Sequence, residues 1–293
     1  MSEANLSNRG RPRTPIVNRL RVSLWSQLVF LASGFDEVQE LEALFDKTPR
    51  LKLASGLWSR YMRGEVLPQG ASDFLEKRNL IHRVAKLFPE PFEVFYAPFW
   101  NFLVWDPFVD LDLMKACYLT LDDGINVWFV ARDEIDGERK ATRYGQFWYH
   151  KRAIDARRKI VANVNAWDGL LICLLEAKMS FGAQDVEAFA DSQMLACKTI
   201  EKLREVPEYQ TKRLQGVFLT MEALCLDTLV RNLAAHTPLS KNQAQIRERV
   251  REMKKLWNTK CYEHAECLSK SSRQAFVQTL EKSTLVGRRT RNN

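Results

Sequence analysis

A chain of 293 residues, 46% of them hydrophobic, can bury one large core or two smaller ones, which excludes a wholly disordered protein. It carries 44 Lys and Arg against 36 Asp and Glu, and the resulting +8 favours polyanionic partners without specifying a fold. No stretch is long and apolar enough to span a membrane, so a cytoplasmic location is the default expectation.

Residues 1–15 are polar and include Arg9, Arg11, Pro12, Arg13 and Pro15, as expected of a disordered basic arm. Val17, Leu20, Leu24, Leu28 and Leu31 recur at helical spacing and predict a helix over about Ile16–Ala32, stopped by Ser33-Gly34. Arg19 and Arg21 before an apolar run imitate a secretory signal, but Ser23, Ser26 and Gln27 interrupt that run. Asp36 is placed to cap a second helix reaching about Phe45, with Val38, Leu41, Leu44 and Phe45 inward, and Lys47-Thr48-Pro49 breaks it. A third helix is expected over about Leu53–Arg63, stopped by Gly64, and a fourth over about Ser72–Phe88.

The next segment, 89–108, gathers Phe92, Phe95, Tyr96, Phe99, Trp100, Phe102, Trp105 and Phe108 among prolines, and reads as a seam between an N-terminal helical module and the rest. Residues 109–121 read as helix. Ile125–Arg132 and Ala141–Trp148 flank Asp136-Gly137, where a small β-hairpin and a helical reading are both open. From about Tyr149 the pattern is helical, punctuated by Pro207 and Pro238. Ile246, Val250, Met253, Trp257, Cys261, His264 and Leu268 form a heptad-like stripe suited to packing or to a homodimer through 240–283. A second basic run, Arg288-Arg289-Thr290-Arg291, closes the chain. Cys117, Cys173, Cys197, Cys225, Cys261 and Cys267 sit mostly among apolar neighbours and read as buried thiols of a reducing compartment. The expected fold class is mainly α, divided into a basic arm (1–15), an N-terminal helical module (16–91), a larger helical domain for self-association or partner binding (92–283) and a basic tail (284–293).

The sharpest functional signal is the third helix. At about 3.6 residues per turn, Trp58 and Tyr61 share one face, while Ser55, Ser59 and Arg63 lie along the other with Arg60 beside them. Ser and Arg side chains on a helix of this size can hydrogen-bond base edges in the DNA major groove. The run Ser59-Arg60-Tyr61-Met62-Arg63-Gly64-x-x-x-Pro68 resembles the end of the recognition helix in lambda-repressor/Cro-type helix-turn-helix proteins. The resemblance implies that Trp58 and Tyr61 point inward, that Ser55, Ser59 and Arg60 face the groove, and that Arg63 holds a phosphate, while helix N-terminal groups in general can also hold phosphates. Met62 departs from the family's Glu, and the link Asp46–Ala54 is longer than the family's turn. Arg9-Gly10-Arg11-Pro12-Arg13 resembles an AT-hook core, which implies minor-groove contact beside the major-groove helix, as in homeodomains. The partner implied is double-stranded DNA, and the role that of a bacterial or mobile-element transcriptional regulator, not an enzyme.

A reading of another class rests on Arg231-Asn232-Leu233-Ala234-Ala235-His236, which matches the Arg-Asn-x-x-x-His motif of HEPN ribonucleases. That resemblance implies a metal-independent endoribonuclease with Arg231 on the phosphate, Asn232 orienting and His236 as acid–base group. A third reading is a helical adaptor that touches no nucleic acid. Cys261, His264 and Cys267 lack a fourth ligand and read as core, so neither a metal nor a cofactor is expected.

Overall fold

The computed structural model describes residues 15–45, 56–71, 79–106, 110–122, 158–182 and 185–235, and every regular element among them is helical. The fold is mainly α, as the periodicity implies. The segments 125–132 and 141–148, the stripe 240–283 and both basic termini lie outside the described residues.

Helix α1 spans Ile16–Ser33 and ends at Gly34, whose φ of 65° lets its amide reach back to the Leu31 carbonyl at 3.2 Å. Both of its long faces are buried. Val17, Leu20, Leu24 and Leu28 of the stripe read from the sequence pack into a core with residues 161–226, and Leu31 is partly buried against it, while Val22, Trp25 and Val29 pack into a second core with residues of 41–45, 58–71 and 81–95. The polar residues that interrupt the apolar run of this helix are not on a solvent face. Ser23, Ser26 and Gln27 are buried, because Ser26 bonds back to the Val22 carbonyl and Ser23 and Gln27 turn toward α3.

Helix α2 covers Val38–Phe45, with the Glu40 carboxylate accepting the Glu37 amide at 3.1 Å in place of an Asp36 cap. Leu41 and Phe45 point inward as expected, but Leu44 is exposed and Glu42 is buried. Helix α3 covers Leu57–Met62. It starts later than the expected Leu53, since Gly56 takes a φ of 64° and breaks the helical run there. Helix α4 covers Leu80–Ala85 instead of starting near Ser72. Asn79 is extended and accepts the His82 amide at 2.8 Å, so it is a true N-cap.

The aromatic segment contains two short helices, α5 (Glu90–Tyr96) and α6 (Trp100–Leu103). Its rings are divided between the cores: Phe95 packs with Trp25, whereas Phe99, Trp100 and Phe102 join the core that holds Leu20 and Leu24. Helix α7 (Leu111–Leu119) lays Met114, Cys117 and Tyr118 on that core and leaves Leu113 and Leu119 exposed. Helices α8 (Ala166–Gly182), α9 (Val186–Glu205) and α10 (Lys212–Ala235) pack successively, with a 3-10 turn at Pro207–Tyr209. Leu170 to Leu175 of α8 are all buried, as befits a helix apolar on every side. Cys117, Cys173, Cys197 and Cys225 are buried free thiols, and burial raises the Cys173 thiol pKa out of reactive range. Among the described residues no helix is long and apolar enough to cross a membrane.

Gly64 is where the end of α3 meets α1. Its φ is 62°, and a Cβ added there would lie 2.5 Å from the Arg19 carbonyl oxygen of α1. Gly34 has a comparable φ and open space around it. Gly34→Ala should therefore cost about 1–2 kcal/mol from backbone strain alone, and Gly64→Ala at least about twice as much, because backbone must also move. Urea denaturation of the two variants measures the difference, and equal losses would show that the contact relaxes freely.

Candidate nucleic-acid interface

The inner face of α3 is fixed by aromatic rings. Trp58 and Tyr61 are 3% and 4% exposed. Trp58 stacks on Trp25 with centroids 5.5 Å apart and meets Phe45 at 5.6 Å, while Tyr61 stands edge-on to Trp25 at 6.2 Å. Each such pair adds about 0.5–1.5 kcal/mol to the burial itself. The inward assignment of both residues holds.

Both ends of α3 are closed by other parts of the chain. At its start the buried Glu42 carboxylate accepts the Gly56 amide at 3.2 Å and the Trp58 amide at 3.1 Å. This carboxylate takes two of the amides at the start of α3, and those two are not available to a phosphate. It also explains why Glu42 is buried on an otherwise amphipathic helix. At the other end the Gly64 amide donates to the Tyr61 carbonyl at 2.8 Å and the Glu65 amide to the Arg60 carbonyl at 3.0 Å, a Schellman closure. The Met62 carbonyl accepts from the Ser23 hydroxyl at 2.6 Å, and Gln27 supports that hydroxyl at 3.1 Å.

The outer side carries charge. Arg60 has 52% and Arg63 40% of its side chain exposed, while Ser59 is half-buried. Glu65 sits between the two arginines. Arg63 Nε donates to its Oε1 at 2.8 Å and Nη2 to its Oε2 at 3.3 Å, and Arg60 Nε lies 3.9 Å away. The fork holds the Arg63 guanidinium above its ordinary pKa and the Glu65 carboxyl below the usual carboxylate range, with Arg60 and Arg19 adding to the latter. A carboxyl with a depressed folded pKa keeps its partner at neutral pH. It releases that partner as pH falls through the depressed value.

Of the residues singled out in the sequence, Ser59, Arg60 and Arg63 are thus brought together at one end of α3. Ser55 and the arm residues Arg9, Arg11 and Arg13 lie outside the described residues. Sequence reasoning missed Glu42, Glu65, Ser23 and Gln27. An acid just past the stop glycine was the one available signal, and it points at Glu65.

The ribonuclease motif has a local geometry of its own. Arg231 Nη2 meets Asp227 Oδ2 at 2.5 Å one turn earlier, and Asn232 donates to the Thr228 carbonyl at 2.8 Å. His236, like Cys261, His264 and Cys267, lies outside the described residues. Among the described residues no group of three or more His, Cys, Asp or Glu is placed to hold a metal ion. No family model, curated protein or solved structure matches this chain.

The Glu65 geometry predicts a gain on charge removal. Glu65→Gln should elute from a heparin column at higher salt than wild type, and also higher than Glu93→Gln, an equal change of net charge at an exposed acid elsewhere. Matching elution of the two variants would show that Glu65 does not restrain Arg60 and Arg63.

Proposed function

We propose that this protein binds double-stranded DNA and regulates transcription, with α3 as its base-reading element. The supporting observation is the division of α3 into a locked aromatic face, Trp58 and Tyr61, and an outer side on which Arg60 is the most exposed cation. A rigid helix presenting an exposed arginine meets the geometric demand of groove reading, because a forked guanidinium contact to guanine needs a fixed base behind it.

In this reading Arg60 reads a base, Ser59 assists from its half-buried position, and Arg63 holds a phosphate once freed from Glu65. Ser55, which this reading also turns toward the groove, lies outside the described residues. The arm residues Arg9, Arg11 and Arg13 precede Pro15, and α1 begins there with Arg19 packed beside Gly64. In this reading the arm inserts into the minor groove beside the reading helix.

The test is binding of the full chain to random-sequence duplex DNA across a salt series, followed by sequencing of the retained pool. Binding should weaken steeply with salt and the pool should converge on a motif. Arg60→Ala should remove about 1–3 kcal/mol of discrimination at one base pair while leaving affinity for unselected duplex nearly unchanged. Equal losses on all duplexes would overturn base reading, and absence of duplex affinity would leave the adaptor reading in its place.

A further inference from the structure

Helix α10 opens with Lys212 and Arg213 and has no acidic residue in its first turn. Cations at the positive end of a long helix are placed against its dipole, a position that ordinarily favours Asp or Glu. Thr211 accepts the Leu214 amide through its hydroxyl at 3.3 Å, so the backbone there is already served and the charge is a matter of side chains. Arg213 is exposed, yet its guanidinium is not at large: Nη1 approaches Met62 Sδ, the last residue of α3, at 3.4 Å. Among the described residues it has no carboxylate partner. The chain thus brings Arg213, from a helix of the C-terminal bundle, to the same end of α3 that carries Arg60 and Arg63. There Glu65 is the single carboxylate whose pairing with Arg60 and Arg63 is described.

We infer that Arg213 contacts a backbone phosphate of the duplex that α3 reads, so that the nucleic-acid surface is built jointly from the N-terminal module and from α10. The inference rests on the DNA-binding reading above. A thioether is a weak acceptor and leaves most of the guanidinium's donors available, so the Met62 contact positions the fork without neutralising it. Phosphate contacts fix the register of a protein on DNA but carry no sequence information. Arg213 therefore governs affinity and salt dependence, and Arg60 governs sequence choice. The contact also ties the bundle to DNA occupancy, since Arg213 lies one residue from Leu214, which is fully buried in the core shared with α1.

The experiment is fluorescence anisotropy of the full chain on a labelled random-sequence duplex over a salt series, with Arg213→Gln, Arg213→Lys and thermal melts of each. The salt slope of wild type should fall by about 1 in Arg213→Gln and return in Arg213→Lys, which keeps the charge. A wild-type slope in Arg213→Gln, with duplex binding intact, overturns the phosphate role and leaves the DNA-binding reading standing. Weakened binding in both variants makes Arg213 a packing residue at Met62 and also overturns it. Failure of wild type to bind duplex overturns the reading and this inference together.

Discussion

The joint between α1 and α3 is the constraint from which the rest follows. The Ser23 hydroxyl holds the carbonyl that ends α3, at 2.6 Å, and Gly64 presses on the Arg19 carbonyl where no Cβ fits. A six-residue helix has too few internal hydrogen bonds to persist alone. It persists here because Glu42 takes its first amides, Ser23 takes its last carbonyl and Trp25 underlies its rings. The Trp58 amide and the Met62 carbonyl, both end groups of α3, are met by other helices, and the turn at Gly64 closes the rest of the C-terminal end.

That joint places the charged end of α3 in a fixed relation to the larger core. Helix α1 contributes Leu20, Leu24 and Leu28 to one cluster and Trp25 and Val29 to the other, so one helix is packed on both sides at once. Close packing of this kind transmits displacement because an interior has few voids to absorb it. The segment after α4 does the same work a second time, with Phe95 in one cluster and Phe99 and Trp100 in the other.

Charge at the end of α3 is partly offset within the chain by one carboxylate. Glu65 lies in the turn that Gly64 creates, close enough to fork Arg63 and to draw Arg60. Exposed ion pairs of this type contribute little to stability, roughly 0–1 kcal/mol, and are exchanged readily for a stronger anion. The same carboxylate that would be a poor investment as a stabilising pair is well placed to tune how strongly two arginines attract a polyanion.

Much of this was legible in the sequence by itself. Spacing gave α1, the stop at Gly34, the inward Trp58 and Tyr61, the stop at Gly64 and the buried thiols, because each depends on local periodicity or on a residue's own conformational freedom. Tertiary structure alone decided that Ser23, Gln27 and Glu42 are buried, since a polar residue enters a core only when a partner from a distant segment is there to receive it. It also decided that α3 begins after Gly56 and α4 after Asn79, that Leu44 faces outward, and that Arg213 stands beside Met62, 151 positions away in the chain. Periodicity records which residues share a face of one helix; which other helix that face meets is set by packing between segments, and no local pattern encodes it.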